Sequence, residues 1–367
     1  MPPRFQPVLL AASAVVVTIV AWAAFGASTI SNDSSYATIP LVNAAEFRSV
    51  AYFEPAPGND LLRIRHLNES APGRLLNSFP STFDLHARGA ASPLGDAIAV
   101  LSVSPSESPY ASLSLVELPA GSLRHLDAPL DYLSPIVWSP DGARLVARRS
   151  SLPDEAGRVA VTIVEVTFAT GETRDLAQFE NAFDAAPLGY SLDADRLFVV
   201  VLDQSGSTLW ALRDGRPQRL ASLALGRTRD WSLSPDGSRL AYIEQVGAGE
   251  RVYAGRTVTI ATGAISASEA GGNQFGTAWL PGSQVPMFGG PGGSLQLSGA
   301  SGGAAFVVPL RWAPDGSTLA GTVYPNASER AATTAPSLQL LTTNSRTELS
   351  PESGASFVGW VRDFNQR

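Results

Sequence analysis

The sequence predicts an all-β fold, a β-propeller of seven four-stranded blades with six as the alternative count, preceded by one N-terminal transmembrane helix. Three observations predict the ring. A short pattern recurs along the chain, its copies fall about one blade apart, and each copy holds the turn chemistry of a β-hairpin.

The pattern reads Trp138-Ser139-Pro140-Asp141-Gly142-Ala143-Arg144-Leu145-Val146, then Leu233-Ser234-Pro235-Asp236-Gly237-Ser238-Arg239-Leu240-Ala241, then Trp312-Ala313-Pro314-Asp315-Gly316-Ser317-Thr318-Leu319-Ala320. Weaker copies stand at Ser92-Pro93, Ser191-Leu192 and Trp279-Leu280-Pro281, and Trp360 falls in the same register near the C-terminus. Aligned on the proline position, the copies lie at 93, 140, 192, 235, 281 and 314, so the spacings are 47, 52, 43, 46 and 33. A four-stranded blade takes about 40–50 residues; only the last spacing is short. Proline ends a strand because it has no ladder donor, and Asp-Gly makes the tight turn that follows. The tryptophans are large enough to wedge between neighbouring blades. A second hairpin marker follows several copies, as in Ala169-Thr170-Gly171-Glu172 and Ala261-Thr262-Gly263.

Taken in chain order, residues 1–7 form a short cytoplasmic N-terminus and residues 8–27 an anchor. Residues 28–45 form a tether and residues 46–367 the propeller. The anchor, VLLAASAVVVTIVAWAAFGA, has 20 residues without a charge, enough helix to span a bilayer's hydrocarbon core. Arg4 precedes it and the next basic residue is Arg48, which places the N-terminus inside and the propeller outside. Ala21-Trp22-Ala23 offers a cleavage site, in which case the domain is secreted; the length of the apolar run favours retention as an anchor. The first strand set, near residues 50–79, lacks an inner strand of its own. The segment around Phe357–Val361 is placed to supply it and close the ring, which removes exposed sheet edges.

These motifs carry a family resemblance. The W-S-P-D-G-x-x-L-A pattern with a downstream T-G-E resembles the WD40-like repeats of TolB-type proteins and the propellers of prolyl-oligopeptidase-like enzymes. The resemblance covers about residues 50–367 and implies the fold. The short tether has no room for the α/β domain that precedes a TolB propeller, so the partners of TolB do not transfer.

Composition narrows the chemistry. The 367 residues carry a net charge of −7, with no cysteine, and all 26 basic residues are arginine. Schiff-base, thiol and P-loop lysine chemistry are therefore excluded, as is stabilisation by disulfides. The negative balance opposes nucleic-acid binding. Gly299-Ala300-Ser301-Gly302-Gly303 matches the G-x-S-x-G nucleophile pattern, but it lies in a glycine-rich stretch without a following helix and reads as a turn. His66, His86 and His125 show no metal-ligand spacing. The recurring Asp141, Asp236 and Asp315 read as turn caps rather than calcium ligands. Asn32, Asn68 and Asn326 head glycosylation sequons short enough to arise by chance.

The loops leading into each innermost strand surround the channel mouth, where propellers commonly bind. Here they carry Asp131, Tyr132, Asp184, Arg229, Asp230 and Gln274, a mixed set suited to polar recognition. Trp138, Pro140, Asp141, Gly142, Pro235, Asp236, Gly237, Trp279, Trp312, Pro314, Asp315, Gly316 and Trp360 read as structural. The sequence thus predicts a non-enzymatic binding module with no cofactor and no metal. Its partner is a protein, peptide or envelope polymer on one propeller face. A propeller hydrolase or lyase with a channel metal, and an accessory subunit of an envelope complex, are the alternatives.

Overall fold

The computed structural model describes residues 43–364 apart from 70–71, 83, 104–109, 154–158, 247–251, 270, 296–305, 326–335 and 351. The predicted anchor and most of the tether therefore lie outside the described residues. Among the described residues no helix is long and apolar enough to cross a membrane.

The chain forms antiparallel sheets in succession. Blade 1 runs outward from β26 (Ser356–Val361) through β1 (Ser49–Ala56) and β2 (Asn59–His66) to β3 (Arg74–Pro80). Blade 2 comprises β4 (Arg88–Ala91), β5 (Ala97–Ser102), β6 (Ala111–Glu117) and β7 (Ser122–Leu130). Blade 3 comprises β8 (Val137–Trp138), β9 (Arg144–Ser150), β10 (Ala160–Thr167) and β11 (Thr173–Glu180). Blade 4 comprises β12 (Asp184–Tyr190), β13 (Leu197–Asp203), β14 (Gly206–Arg213) and β15 (Arg216–Ala224). Blade 5 comprises β16 (Thr228–Leu233), β17 (Arg239–Val246), β18 (Val252–Thr259) and β19 (Ala264–Ala267). A two-stranded sheet follows, β20 (Phe275–Trp279) with β21 (Pro286–Gly289). The last blade comprises β22 (Phe306–Trp312), β23 (Leu319–Tyr324), β24 (Ser337–Leu341) and β25 (Arg346–Glu348).

The fold is an all-β propeller with six four-stranded blades, which corrects the expected seven. The seventh sheet, between blade 5 and the last blade, has two strands among the described residues. The short spacing from Pro281 to Pro314 falls on this sheet, for which the described residues give two strands. The open edge of β21 is blunted. Phe288 N–H donates to Ser294 Oγ (3.1 Å), the Phe288 carbonyl accepts from Leu295 N (3.1 Å), and Pro286 has no N–H to offer. Edges treated in this way do not recruit further strands. At Gly289 the sheet comes so close to the last blade that a Cβ would stand 2.0 Å from the Val307 carbonyl oxygen.

Ring closure follows the expected route. β26, from the C-terminus, pairs antiparallel with β1, with Val50 opposite Trp360. N- and C-terminal strands therefore share one sheet.

Side chains facing the neighbouring blade make the core. The position two before the motif proline recurs at every blade as Ala91, Trp138, Tyr190, Leu233, Trp279, Trp312 and Trp360. Each packs in a separate apolar cluster against the preceding sheet. Trp138 is fully buried, and its Nε1 donates to the Ala90 carbonyl of blade 2 (2.9 Å). Trp279 repeats this bond to Ser232 of blade 5 (3.0 Å).

The motif turns take the predicted form. Asp141 Oδ1 accepts from Ala143 N (3.0 Å) and Ser139 Oγ (2.5 Å), Asp236 Oδ1 from Ser238 N (3.1 Å) and Ser234 Oγ (2.6 Å), and Asp315 Oδ1 from Ser317 N (2.9 Å). In the first two turns the preceding serine closes the loop by accepting the N–H of the next strand, as Arg144 N to Ser139 Oγ (2.9 Å) and Arg239 N to Ser234 Oγ (2.9 Å); Ala313 replaces it in the third. Gly142, Gly237 and Gly316 all have φ near +70°, which a side chain would strain.

Trp138→Ala removes a fully buried wedge and should cost about 3–5 kcal/mol, read as a lower urea midpoint with unchanged slope. Trp138→Phe should cost less, since it forfeits mainly the bond to Ala90.

Candidate functional site

The channel mouth is assembled by strand alternation. Each innermost strand starts at one end of the ring, so the loop entering it and the hairpin between a blade's second and third strands lie at that same end. The motif turns lie at the other end. All six residues predicted for recognition fall at the mouth.

The structure joins Asp131 and Asp184 through a residue that the sequence reading missed, Arg148 on β9. Arg148 Nε lies 3.2 Å from Asp131 Oδ2, and Nη1 contacts Asp184 Oδ1 on blade 4. Asp131 also accepts from Ser150 N (2.8 Å) and Ser150 Oγ (2.6 Å). All three side chains of the Asp–Arg–Asp bridge are largely buried. Burial pulls the Arg148 pKa below its ordinary value, while Asp131 opposes the shift through charge and hydrogen bonding. The bridge ties adjacent blades together at the rim. Arg148 shares a face of β9 with Val146, a core residue, and that alternation is the signal by which it could have been found.

Tyr132 donates to the carbonyl of His86. His86 Nδ1 in turn lies 2.9 Å from Asp60, whose other oxygen accepts from Ala87 N (2.6 Å). Burial raises the Tyr132 phenol well above its usual range; nearby Arg88 opposes the rise and Asp60 adds to it. Neither Arg88 nor Asp60 was singled out from the sequence.

Arg229 and Asp230 form a second group on β16. Asp230 takes φ +52° and is buried, with Oδ2 accepting from Gly276 N (2.8 Å) and its carbonyl accepting from Thr277 Oγ1 (2.6 Å). Burial raises its pKa against the pull of Arg229 and Gly276. The Arg229 guanidinium lies 4.5 Å from the Tyr253 ring centroid and 5.2 Å from that of Phe275, a cation–π arrangement. Gln274 is buried: its Oε1 accepts from Gly255 N (2.5 Å) and its Nε2 donates to Ser268 Oγ (3.0 Å). Asp131, Asp184, Asp230 and Gln274 thus hold the rim together, while Tyr132 and Arg229 stay partly accessible.

Among the exposed residues at this end, which include the polar Asp84, Asn181 and Arg227, three are large and apolar. Leu152, between β9 and β10, is 70 % exposed; Phe183, just before β12, is 66 % exposed; and Leu225, just before β16, is 91 % exposed. They stand at the same end of consecutive blades. The opposite end also carries exposed apolar residues: Leu192, Leu280 and Val285 in its turns, and Leu75, Leu123 and Ile265 at the starts of outer strands.

The histidines are each hydrogen-bonded or ion-paired. His66 Nε2 meets Asp363 (3.2 Å), His86 meets Asp60, and His125 Nδ1 meets Ser114 Oγ (2.9 Å). Among the described residues no group of three or more His, Asp or Glu is placed to hold a metal. The G-x-S-x-G match at 299–303 lies outside the described residues.

If the Asp131–Arg148–Asp184 bridge is structural, Arg148→Met strands two carboxylates and should lower stability by about 3–5 kcal/mol in urea unfolding. An unchanged midpoint would remove the bridge from the fold's support.

No protein-family model and no curated protein sequence matches this chain. Solved structures do. TolB from Acinetobacter baumannii is 14% identical with a TM-score of 0.51, over 85% of this chain and 66% of that one. The acylaminoacyl peptidase of Pyrococcus horikoshii is 14% identical with a TM-score of 0.58, over 83% of this chain and 51% of that one. An oligogalacturonate lyase in complex with manganese is 14% identical with a TM-score of 0.56, over 86% of this chain and 89% of that one. The chain thus spans less than two thirds of the TolB chain and about half of the peptidase. At such identity the likeness is one of architecture, and one fold of this kind serves TolB, a peptidase and a lyase. The propeller of this chain is TolB-like in fold.

Proposed function

We propose that this protein is a membrane-anchored, extracytoplasmic binding module that recognises a protein or peptide through the channel-mouth face of its propeller. One observation carries the reading: Leu152, Phe183 and Leu225 leave large apolar side chains in solvent on three consecutive blades. Exposed apolar groups scattered singly are ordinary, whereas a row of them above a rigid polar rim fits an interface. Burying three such side chains would contribute several kcal/mol to binding, at about 1.5–3 kcal/mol each. The ion-paired rim beneath them supplies rigidity, which lowers the entropy lost on association.

Replacing Leu152, Phe183 and Leu225 together by serine should abolish cross-linking to a partner in detergent-solubilised envelopes while leaving the melting temperature unchanged. Full retention of the cross-linked species would refute the face assigned to binding.

The anchor rests on residues 8–27 and on the position of Arg4. Proteinase K added to intact spheroplasts should degrade the propeller, and protection until the membrane is broken would place it inside instead.

A further inference from the structure

Arg88 is the first residue of β4, the innermost strand of blade 2, at the channel-mouth end. It lies on the same face as Ala90, which packs into the apolar cluster between blades 2 and 3. The residue as a whole is partly accessible, but its Nη1 is buried without a hydrogen-bond partner. Among the described residues no carboxylate pairs with it. The charged and polar groups acting on it are Tyr132 and a second arginine, Arg148, and burial is the largest influence. Arg148 already holds both nearby aspartates, Asp131 and Asp184. Asp60 is turned toward Ala87 N and His86, and the Tyr132 hydroxyl is committed to the His86 carbonyl.

A guanidinium does not shed its proton under any ordinary condition. Burying one without a counter-charge costs several kcal/mol. Arg148 is held by two aspartates and Arg229 lies beside Asp230, so the lone Arg88 is a departure that a packed fold has no reason to keep. It fits an anion supplied from outside. A planar carboxylate matches the guanidinium fork, and Asp60, Asp131 and Asp184 nearby disfavour a more highly charged group such as phosphate. Leu152 on blade 3 and Phe183 on blade 4, exposed at the same end as Arg88, suit apolar side chains of the same ligand.

We infer that Arg88 is the receptor for the free C-terminal carboxylate of an apolar peptide bound at the channel mouth. This rests on the mouth face being the binding face. The recognition mode is the capture of a chain terminus, with Arg88 reading the charge and the apolar row reading the residues before it.

The test uses the full chain in mild detergent and four probes: N-acetyl-Leu-Phe as the free acid, the same dipeptide as its amide, sodium galacturonate, and inorganic phosphate. The free acid is expected to raise the melting temperature by ligand linkage, and the amide to bind at least about 10-fold more weakly. Arg88→Met should erase the difference between acid and amide. Without ligand it should melt no lower than the wild type, because it removes an uncompensated buried charge; a merely structural arginine would melt lower when replaced. Equal response to acid and amide, a response to galacturonate or phosphate as large as that to the free acid, or an acid response that survives Arg88→Met would each overturn the inference. If these probes fail while the Leu152, Phe183 and Leu225 substitutions still abolish cross-linking, only the carboxylate receptor falls and the binding face stands.

Discussion

Packing of one blade's inner strand against the sheet before it is the interaction on which this molecule depends. Every blade contributes one side chain at the same motif position to that contact, from Ala91 through Trp138 to Trp360. The size of that side chain varies with the gap: alanine between blades 1 and 2, where Phe53 and Phe79 fill the space, and tryptophan between blades 2 and 3. A chain without cysteine cannot fasten such a ring with disulfides. Interdigitated apolar side chains and the pairing of β26 with β1 must hold it, and the burial of most inner-strand residues is the physical form of that support.

The polar rim is a second consequence of the same geometry. Inner strands converge at the mouth, so charged side chains placed there are forced into one another's company and out of water. Arg148 satisfies Asp131 and Asp184 at once, and Asp230 is secured by Gly276 and Arg229. Buried charges of this kind hold position when complete and destabilise when one member is removed. A rim fixed in this way is a poor place for adaptable recognition, and in the function proposed above that role passes to what projects above it: the leucines, Phe183, and the partly accessible Tyr132 and Arg229. Arg88 differs from Arg148 and Arg229 because no carboxylate among the described residues pairs with it.

The two-stranded sheet shows how far a propeller can depart from its repeat. β20 still presents Trp279 to blade 5 and still runs beside β22, so the wedge is kept although only two strands of this sheet stand among the described residues. Pro286 and Ser294 guard the outer edge of β21. The contact between neighbouring blades here depends on the inner strand.

The amino-acid sequence by itself determined the fold class, the repeat positions, the turn chemistry and the strand that closes the ring. These depend on local pattern: a proline that ends a strand, an Asp-Gly that turns it, and an alternation that buries every second residue. The short spacing before Pro314 already marked the irregular sheet, but a spacing alone does not say how its strands pair. Only the tertiary structure decided which mouth residues are pillars and which stay partly accessible. Asp131 and Asp184 are 53 positions apart in the chain, and Arg148, which joins them, sits inside a strand whose pattern reads as core. Whether a charged side chain is exposed, paired or left alone depends on contacts between blades, and those contacts are set by the closing of the ring rather than by any neighbouring residue in sequence.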